Sequence, residues 1–373
     1  MTNSPGFMSR GTYALRQKEE HDRRSLAVIP IYYPKELLTA FDILAVELWG
    51  PPGPPRGDGA GRIQTYVCSV VRNALAFLES GHADAMDGLL FPHTCDSIQG
   101  LATLVMDFGG WSKKSFVFQH PRGSDRASAK MCVEQELRSL AGELEAWTGK
   151  PLDLKRMQWA LDLHREIDVC RATLLDQRAR SPLSDVELYA LLRRGEWLWP
   201  EEHLEELRPA VQALASAPVQ KGIPIMVTGY VPEPQGILAA LANAGAYVAA
   251  DDYAAVGRRV SRAAKHPAGD PWAELVARYG SVAPCPTRNV ENGPRMQYLQ
   301  SLCKSSGARG LLVHVQKFCE PELFDIPDIR KTFAALGVPV LVVEGDLELA
   351  LSGQTETRLE AFIEMLRTSG RPS

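Results

Sequence analysis

Short apolar runs alternate with helical patterns in two regions of this chain, and this alternation limits the possible folds more than any other feature. In the first region the strand-like runs are 25–30, 43–48, 88–92 and 115–118. In the second region they are 223–228, 247–250, 310–315 and 338–344. Strands that alternate with helices pair in parallel, so the sequence predicts an α/β fold with two doubly wound parallel-sheet domains.

Between the two regions the spacing of apolar residues is helical alone. We therefore predict an N-terminal α/β domain at 25–150, a helical connector at 151–217 and a C-terminal α/β domain at 218–373. Residues 1–24 are polar and charged where a secretory signal would need an apolar core, and we expect them to form a disordered tail.

Charge and composition argue against several classes of function. A net charge of -4 over 373 residues gives no general attraction to nucleic acid or to anionic membranes, and no apolar run is long enough to cross a membrane. The seven cysteines are scattered and odd in number, which argues against a disulfide framework and leaves reduced thiols for metal or redox chemistry. We expect a cytoplasmic protein.

Three cysteines lie where α/β proteins bind their ligands. Cys95 follows the run 88–92 and Cys319 follows the run 310–315, so these thiols occupy equivalent positions in the two halves. Cys68 lies at or near the start of a helix, where backbone N–H groups favour a thiolate. Because ligands bind beyond the carboxyl ends of parallel strands, the three thiols could converge on one cleft.

Spacing alone leaves the role of these thiols open. Free cysteine is most often a small buried hydrophobe, and the distances along the chain differ from compact metal-binding motifs. For Cys132, Cys170 and Cys303, which lie within helical patterns, we prefer the buried hydrophobe. Cys285, in the sequence Ala-Pro-Cys-Pro, stays a reserve ligand.

Several titratable side chains near the strand ends are candidate proton carriers. The candidates are His93, His120 and Glu320. For each of them a structural role is the alternative, since acidic residues at a helix start often act as partners of the helix dipole. His314 lies within a strand and is equally well explained as a core residue, whereas His164, on the apolar stripe of the connector, is predicted to be a core histidine.

Five stretches carry a family resemblance that covers nearly the whole chain after the tail. They are Tyr66-Val-Cys-Ser-Val-Val-Arg72, Phe91-Pro-His-Thr-Cys-Asp-Ser97, Asn243-Ala-Gly-Ala-Tyr-Val-Ala-Ala-Asp-Asp252, Lys317-Phe-Cys-Glu-Pro-Glu-Leu-Phe-Asp-Ile-Pro327 and Gly353-Gln-Thr-Glu-Thr-Arg-Leu-Glu-Ala-Phe362. With these stretches the chain resembles the 2-hydroxyacyl-CoA dehydratase and benzoyl-CoA reductase family. Together they are more specific than any single cysteine.

The resemblance implies a cofactor, a reaction and partners. In that family three cysteines bind a 4Fe-4S iron-sulfur cluster, and the matching positions are Cys68, Cys95 and Cys319. Three protein ligands leave one iron open for chemistry. The family further implies an acyl-CoA substrate activated as a ketyl radical for dehydration or ring reduction, an ATP-dependent iron-sulfur activator protein, and a paralogous second subunit in a heterodimer, or else a homodimer.

Coenzyme A would need donors for its phosphates. The candidates follow Asp251-Asp252 on a predicted helix or follow Cys285: Arg258, Arg259, Arg262, Lys265 and Arg288. A solvated helix face explains the same run. The chain has no P-loop and no dinucleotide-binding glycine motif, so ATP hydrolysis and dinucleotide binding are expected in other proteins.

Two alternatives to an acyl-CoA enzyme stay open at this point. One is a 4Fe-4S redox protein of the same fold that reduces another small molecule. The other is a non-catalytic structural partner subunit that retains the fold, while a sister subunit holds the active cluster.

Overall fold

Two four-stranded sheets organise the chain, and all neighbouring strands in them are parallel. The computed structural model describes residues 7–49, 61–119, 121, 126–262, 269–288 and 292–368. Within these ranges the structure confirms the predicted α/β fold with two doubly wound parallel sheets.

The two sheets have the same topology. The first contains β1 (Arg24–Val28), β2 (Ile43–Glu47), β3 (Gly88–His93) and β4 (Lys114–Gln119), in the order β2-β1-β3-β4. The second contains β5 (Ile223–Gly229), β6 (Ala246–Tyr253), β7 (Gly310–Gln316) and β8 (Val340–Gly345), in the order β6-β5-β7-β8. In each sheet the strand order reverses between the first and third strands, which opens a crevice at their carboxyl ends.

Helices follow or cover the strands throughout the described chain. They are α1 (Phe7–His21), α2 (Lys35–Ala40), α3 (Ser69–Glu79), α4 (Asp96–Thr103), α5 (Ala127–Thr148), α6 (Leu154–Asp176), α7 (Asp185–Arg193), α8 (Pro200–Ala213), α9 (Gly236–Asn243), α10 (Pro271–Gly280), α11 (Asn292–Ser306), α12 (Glu320–Ala335) and α13 (Gly353–Thr368). A π-helical turn, Leu104–Phe108, continues α4. Among the helices described, none has both the length and the apolar character to span a membrane.

The inner strands of both sheets are buried because helices cover the sheets, whereas the edge strands β4 and β8 are only partly buried. All seven residues of β7 are buried, and so are all those of β5 except Pro224. Strands that are buried on both faces read as continuous apolar runs, which is why the sequence pattern located them.

The N-terminal segment contains a helix, so our expectation of a disordered tail was wrong for residues 7–21. In α1 the side chains of Tyr13, Ala14 and Gln17 are buried. The Tyr13 hydroxyl accepts a hydrogen bond from the Trp199 backbone amide at 2.9 Å. The segment is mostly polar, so its narrow buried face was not recognised in the sequence. Residues on that face contact residues almost two hundred positions away in the chain.

Between them, the helices α6 and α7 contact both halves. Val248 N in β6 donates to Asp185 Oδ2 at 2.9 Å, while His164 Nε2 in α6 lies 2.9 Å from Thr39 Oγ1 in α2. His164 is buried, and burial lowers the pKa of its imidazole to about 4. His164 is therefore a neutral core histidine, as predicted.

A buried ion pair joins the first half to the second. Glu47, at the end of β2, is fully buried, and its carboxylate accepts hydrogen bonds from Arg259 at 2.6 and 2.8 Å. Lys35 Nζ lies 2.7 Å from the same carboxylate. Burial by itself would raise the pKa of Glu47, but the charges of Arg259 and Lys35 lower it well below its usual value. Glu47 is therefore ionised in the folded protein.

We predict that Glu47→Gln lowers the free energy of unfolding by about 3 kcal/mol, because it leaves the Arg259 guanidinium buried without its counter-charge. Anaerobic urea unfolding at neutral pH measures the effect. The double variant Glu47→Gln/Arg259→Gln should recover part of the loss, which gives the coupling energy of the pair.

Glu143→Gln is the matched control for this change. Glu143 pairs with Lys114 at 3.2 Å, but both side chains are more than 40% exposed (43% and 42%). Exposed pairs contribute about 0 to 1 kcal/mol, so this variant should unfold almost like the wild type. Equal losses in Glu47→Gln and Glu143→Gln would contradict the proposed importance of the buried pair.

Candidate three-cysteine site

Each of the three predicted cysteines directly precedes a helix. Cys68 is the N-cap residue of α3, Cys95 that of α4 and Cys319 that of α12. Cys95 follows β3 and Cys319 follows β7, so each lies at the carboxyl end of the third strand of its sheet. The two thiols thus border the two topological crevices.

The thiols lie close enough together that Cys68 raises the pKa of Cys95, and that both raise the pKa of Cys319. Burial raises the pKa of Cys95 to about 12, and the neighbouring Cys68 thiol contributes to the rise. Burial also raises the pKa of Cys319, with further contributions from Cys68 and Cys95. Because Cys319 belongs to the second half and the others to the first, the three thiols meet between the two halves.

The phenol of Tyr230 belongs to the same group of side chains. Tyr230 directly follows β5 and is buried, and its pKa is raised by burial first and then by the three thiols. Its hydroxyl donates a hydrogen bond to the carbonyl oxygen of Pro30, which lies just beyond β1, at 3.2 Å. Sequence reasoning missed Tyr230, although its position directly after a buried strand was a usable signal.

Backbone amides at the helix starts lower the pKa of the thiols, whereas burial raises it. The amides of Val70 and Val71 lower the pKa of Cys68, and those of Ser97 and Ile98 lower the pKa of Cys95. Unsatisfied N–H groups at a helix start favour a nearby negative charge. Each site is thus suited to a thiolate, although burial keeps the isolated thiol protonated.

The donor set, cysteine thiols alone, has the chemistry of iron-sulfur cluster ligands. Within the described ranges, no three His, Cys, Asp or Glu side chains lie close enough to bind one ion. Thiolates that hold an iron-sulfur cluster bind different iron atoms, so they do not meet at one point. Neighbouring thiols of which two are buried and one is partly buried also need a positively charged partner before all three become thiolates.

Residues next to the thiols fix the two halves against each other. Ser69 Oγ donates to Gln316 Oε1 at 3.3 Å and accepts from Leu347 N at 3.0 Å. Arg72 lies 3.4 Å from Asp346. The start of α3 is therefore held by residues at the carboxyl ends of β7 and β8, which positions Cys68 across the interface.

The other cysteines differ in their surroundings. Cys170 and Cys303 are buried as predicted, but Cys132 is exposed on α5, so the prediction of a buried hydrophobe was wrong there. Residues on the exposed face of a long helix recur with the same spacing as those on its buried face. The spacing in the sequence therefore did not show on which face of α5 Cys132 lies. Cys285, the reserve ligand, is fully buried, with its sulfur 3.5 Å from Arg258 Nη1 and 3.2 Å from Thr287 Oγ1.

The candidate proton carrier His93 lines a separate cavity. Its Nδ1 lies 2.5 Å from Gln119 Oε1, at the ends of β3 and β4. The cavity is about 230 Å³ in volume and is lined by residues of the first half alone. None of the three cysteines is among its lining residues.

The remaining candidate proton carriers differ in their location and burial. Glu320, the first residue of α12, is exposed, whereas Glu322 two positions later is buried. His120 lies outside the described residues. His314 is buried in β7, where burial lowers the pKa of its imidazole to about 4.

The structure contradicts the helix that was predicted to carry the phosphate donors. Residues 254–259 form turns, and Arg258 and Arg259 are buried in ion pairs with carboxylates. Arg262 is exposed but pairs with Asp176 at 2.7 Å, and Lys265 lies outside the described residues. Arg288 is buried and donates to the Tyr279 carbonyl oxygen at 2.8 Å. These arginines are structural here, because carboxylates distant in the chain pair with the first three.

Comparisons with known proteins agree with the resemblance seen in the motifs. The sequence model of the family described as "2-hydroxyglutaryl-CoA dehydratase, D-component" matches residues 30–366. Lactoyl-CoA dehydratase subunit beta of Anaerotignum propionicum is 24% identical over 94% of this chain and 93% of its own. (R)-2-hydroxyglutaryl-CoA dehydratase subunit beta of Acidaminococcus fermentans is 25% identical over 94% and 95%.

A reductase is similar to the same extent. One subunit of the benzoyl-CoA reductase of Thauera aromatica is 26% identical over 88% of this chain and 87% of its own. These relatives are subunits of dehydratases or of a reductase that are named for acyl-CoA compounds. Since the family match spans most of the chain, including all three cysteines that cap helices, the protein belongs to the 2-hydroxyglutaryl-CoA dehydratase D-component family.

Proposed function

We propose that this chain is the iron-sulfur subunit of an enzyme of the 2-hydroxyacyl-CoA dehydratase or benzoyl-CoA reductase type. Cys68, Cys95 and Cys319 are the proposed ligands of one 4Fe-4S cluster. The observation that carries the proposal is the convergence of three thiols, two of them buried and one partly buried, each capping a helix, where the two halves meet. All three lie within residues 30–366, which the family model matches, and in stretches by which the sequence resembles the family.

The cluster would supply one-electron reduction of an acyl-CoA thioester, with the low-potential electron delivered by an ATP-dependent iron-sulfur activator protein. The chain's own residues prepare the place for this chemistry. In this proposal the three thiols bind the cluster. The backbone amides at the helix starts stabilise the thiolate forms of Cys68 and Cys95. Burial of Cys68 and Cys319, each 8% exposed, keeps water away from the ligands.

Partners follow from the same reasoning. The relatives are named as single subunits of their enzymes, two of them as beta subunits, which supports a paralogous second subunit in a heterodimer, with a homodimer as the other possibility. The acyl-CoA substrate and the activator protein are part of the proposal. His93 and Glu320 stay predictions as proton carriers.

We predict that Cys95→Ala lowers the iron content far below that of the wild type, which should approach four irons per chain after anaerobic reconstitution. Loss of one of three ligands removes an anchor from one iron. Iron and sulfide analysis, together with the visible absorption of the brown protein, measures the effect.

Cys170→Ala is the control for this variant, because Cys170 is a buried cysteine on the connector helix α6. It should retain full iron content. If Cys95→Ala retained as much iron as Cys170→Ala, the ligand assignment would be wrong. Fewer than about three irons in the wild-type chain would refute the cluster itself.

We also predict that the assembly that co-purifies under anaerobic conditions binds acyl-CoA thioesters. Isothermal titration with a panel of acyl-CoA compounds should give heat for at least one of them, with free coenzyme A as the control for binding through the nucleotide part alone. Absence of heat for every thioester, with iron content intact, would favour the redox protein that reduces another small molecule.

A further inference from the structure

A fully buried arginine lies behind the first turn of α12. Arg258 donates hydrogen bonds to Glu322 Oε1 at 2.5 Å, to Asp252 Oδ2 at 3.1 Å and to the Gly229 carbonyl oxygen at 3.1 Å. These partners belong to α12, β6 and β5. One guanidinium therefore connects the carboxyl ends of two strands to the helix that Cys319 caps.

Glu322 is the member of this group that lies nearest to Cys319 along the chain. It is the third residue of α12, and its backbone amide donates to the Cys319 carbonyl oxygen at 3.1 Å. Its carboxylate is buried with the side chain 3% exposed. A charge in such surroundings acts on its neighbours with little screening by water or salt.

Within the first turn of α12, Glu322 is the acid that is buried, three positions after the N-cap residue Cys319. Glu320, by contrast, is exposed on the same helical turn. The charge of the buried Glu322 is therefore less screened by water and salt than that of the exposed Glu320, which adjoins Cys319.

A second buried arginine, Arg295, pairs with one of the same carboxylates as Arg258. Arg295 binds Asp252 at 2.5 Å and Asp325 at 3.2 Å. Asp252 is shared between the two arginines, whereas Glu322 forms its ion pairs with Arg258. Replacement of Arg258 would leave Glu322 buried beside Cys319 without the guanidinium that offsets its charge.

We infer that the Arg258–Glu322 pair positions Cys319 and sets the reduction potential of the cluster bound there. This inference rests on the proposed function. Glu322 places a negative charge beside one ligand, which disfavours an added electron, and Arg258 offsets that charge and holds the carboxylate in place. Net charge and local hydrogen bonds are known determinants of iron-sulfur potentials.

The experiment measures the cluster's potential in single variants by anaerobic spectroelectrochemistry. Glu322→Gln removes the negative charge and keeps the side-chain shape. At the wild-type midpoint it should raise the ratio of reduced to oxidised cluster about tenfold, which corresponds to about 59 mV for one electron. Arg258→Gln should shift the ratio in the opposite direction, and the double variant should return toward the wild type.

Glu320→Gln is the matched control, because it removes an exposed carboxylate from the same turn and should leave the potential unchanged. Arg258→Lys keeps the charge and should restore the potential if Arg258→Gln binds too little iron to be measured. Arg295→Gln perturbs the neighbouring ion pairs of the same buried network, and its shift should be smaller than that of Arg258→Gln.

The outcomes separate this inference from the proposed function. Shifts of the same sign in Glu322→Gln and Arg258→Gln, or equal shifts in Glu322→Gln and Glu320→Gln, would overturn the electrostatic role while the wild-type cluster stands. Failure of the wild-type chain to bind iron would overturn the proposed function and this inference with it. Opposite shifts that cancel in the double variant support the inference.

Discussion

Contact between the carboxyl edges of the two parallel sheets is the constraint on which the rest of the structure depends. Both sheets have the same strand order, so each has a crevice between its first and third strands. The hydrogen bond from Tyr230, beyond β5, to Pro30, beyond β1, joins the two crevices. Residues that follow the third strands, Cys95 and Cys319, then meet although they are far apart in the chain.

Buried charges at this contact are balanced within the protein, but the thiols are not. Glu47 is paired with Arg259, and Arg258 with Glu322. Arg72, which favours the ionised form of Cys68, already lies 3.4 Å from Asp346. Among the described residues, Arg72 is already engaged by a carboxylate, so in the proposed function the positive charge that turns the three thiols into thiolates would come from the cluster.

Features that depend on local periodicity were predicted correctly from the sequence. Predictions were wrong where contacts with residues distant in the chain determine the structure. Strands buried on both faces appear as apolar runs, so both parallel sheets and the positions of Cys95 and Cys319 followed from the pattern. The helix α1 did not, because its buried side chains contact residues such as Trp199 that are remote in the chain. Arg258 looked like a free phosphate donor for the same reason, since Glu322 lies 64 positions away. A local pattern reveals the burial of a polar residue only where that residue continues an apolar stripe, as His164 does, and not where remote partners bury it, as with Arg258.

The distribution of the three cysteines between the halves also bears on how the halves are held together. Cys68 and Cys95 come from the first half and Cys319 from the second, and Cys68 and Cys319 are each only 8% exposed. A cofactor bound by all three would link the halves covalently through metal-sulfur bonds. While the halves are in contact, the sulfur-bearing side chains of Cys68 and Cys319 offer little surface to solvent, whereas Cys95 is partly exposed. If the proposed cluster is bound there, its ligands are complete only when both halves are folded and in contact, so its binding would stabilise that contact.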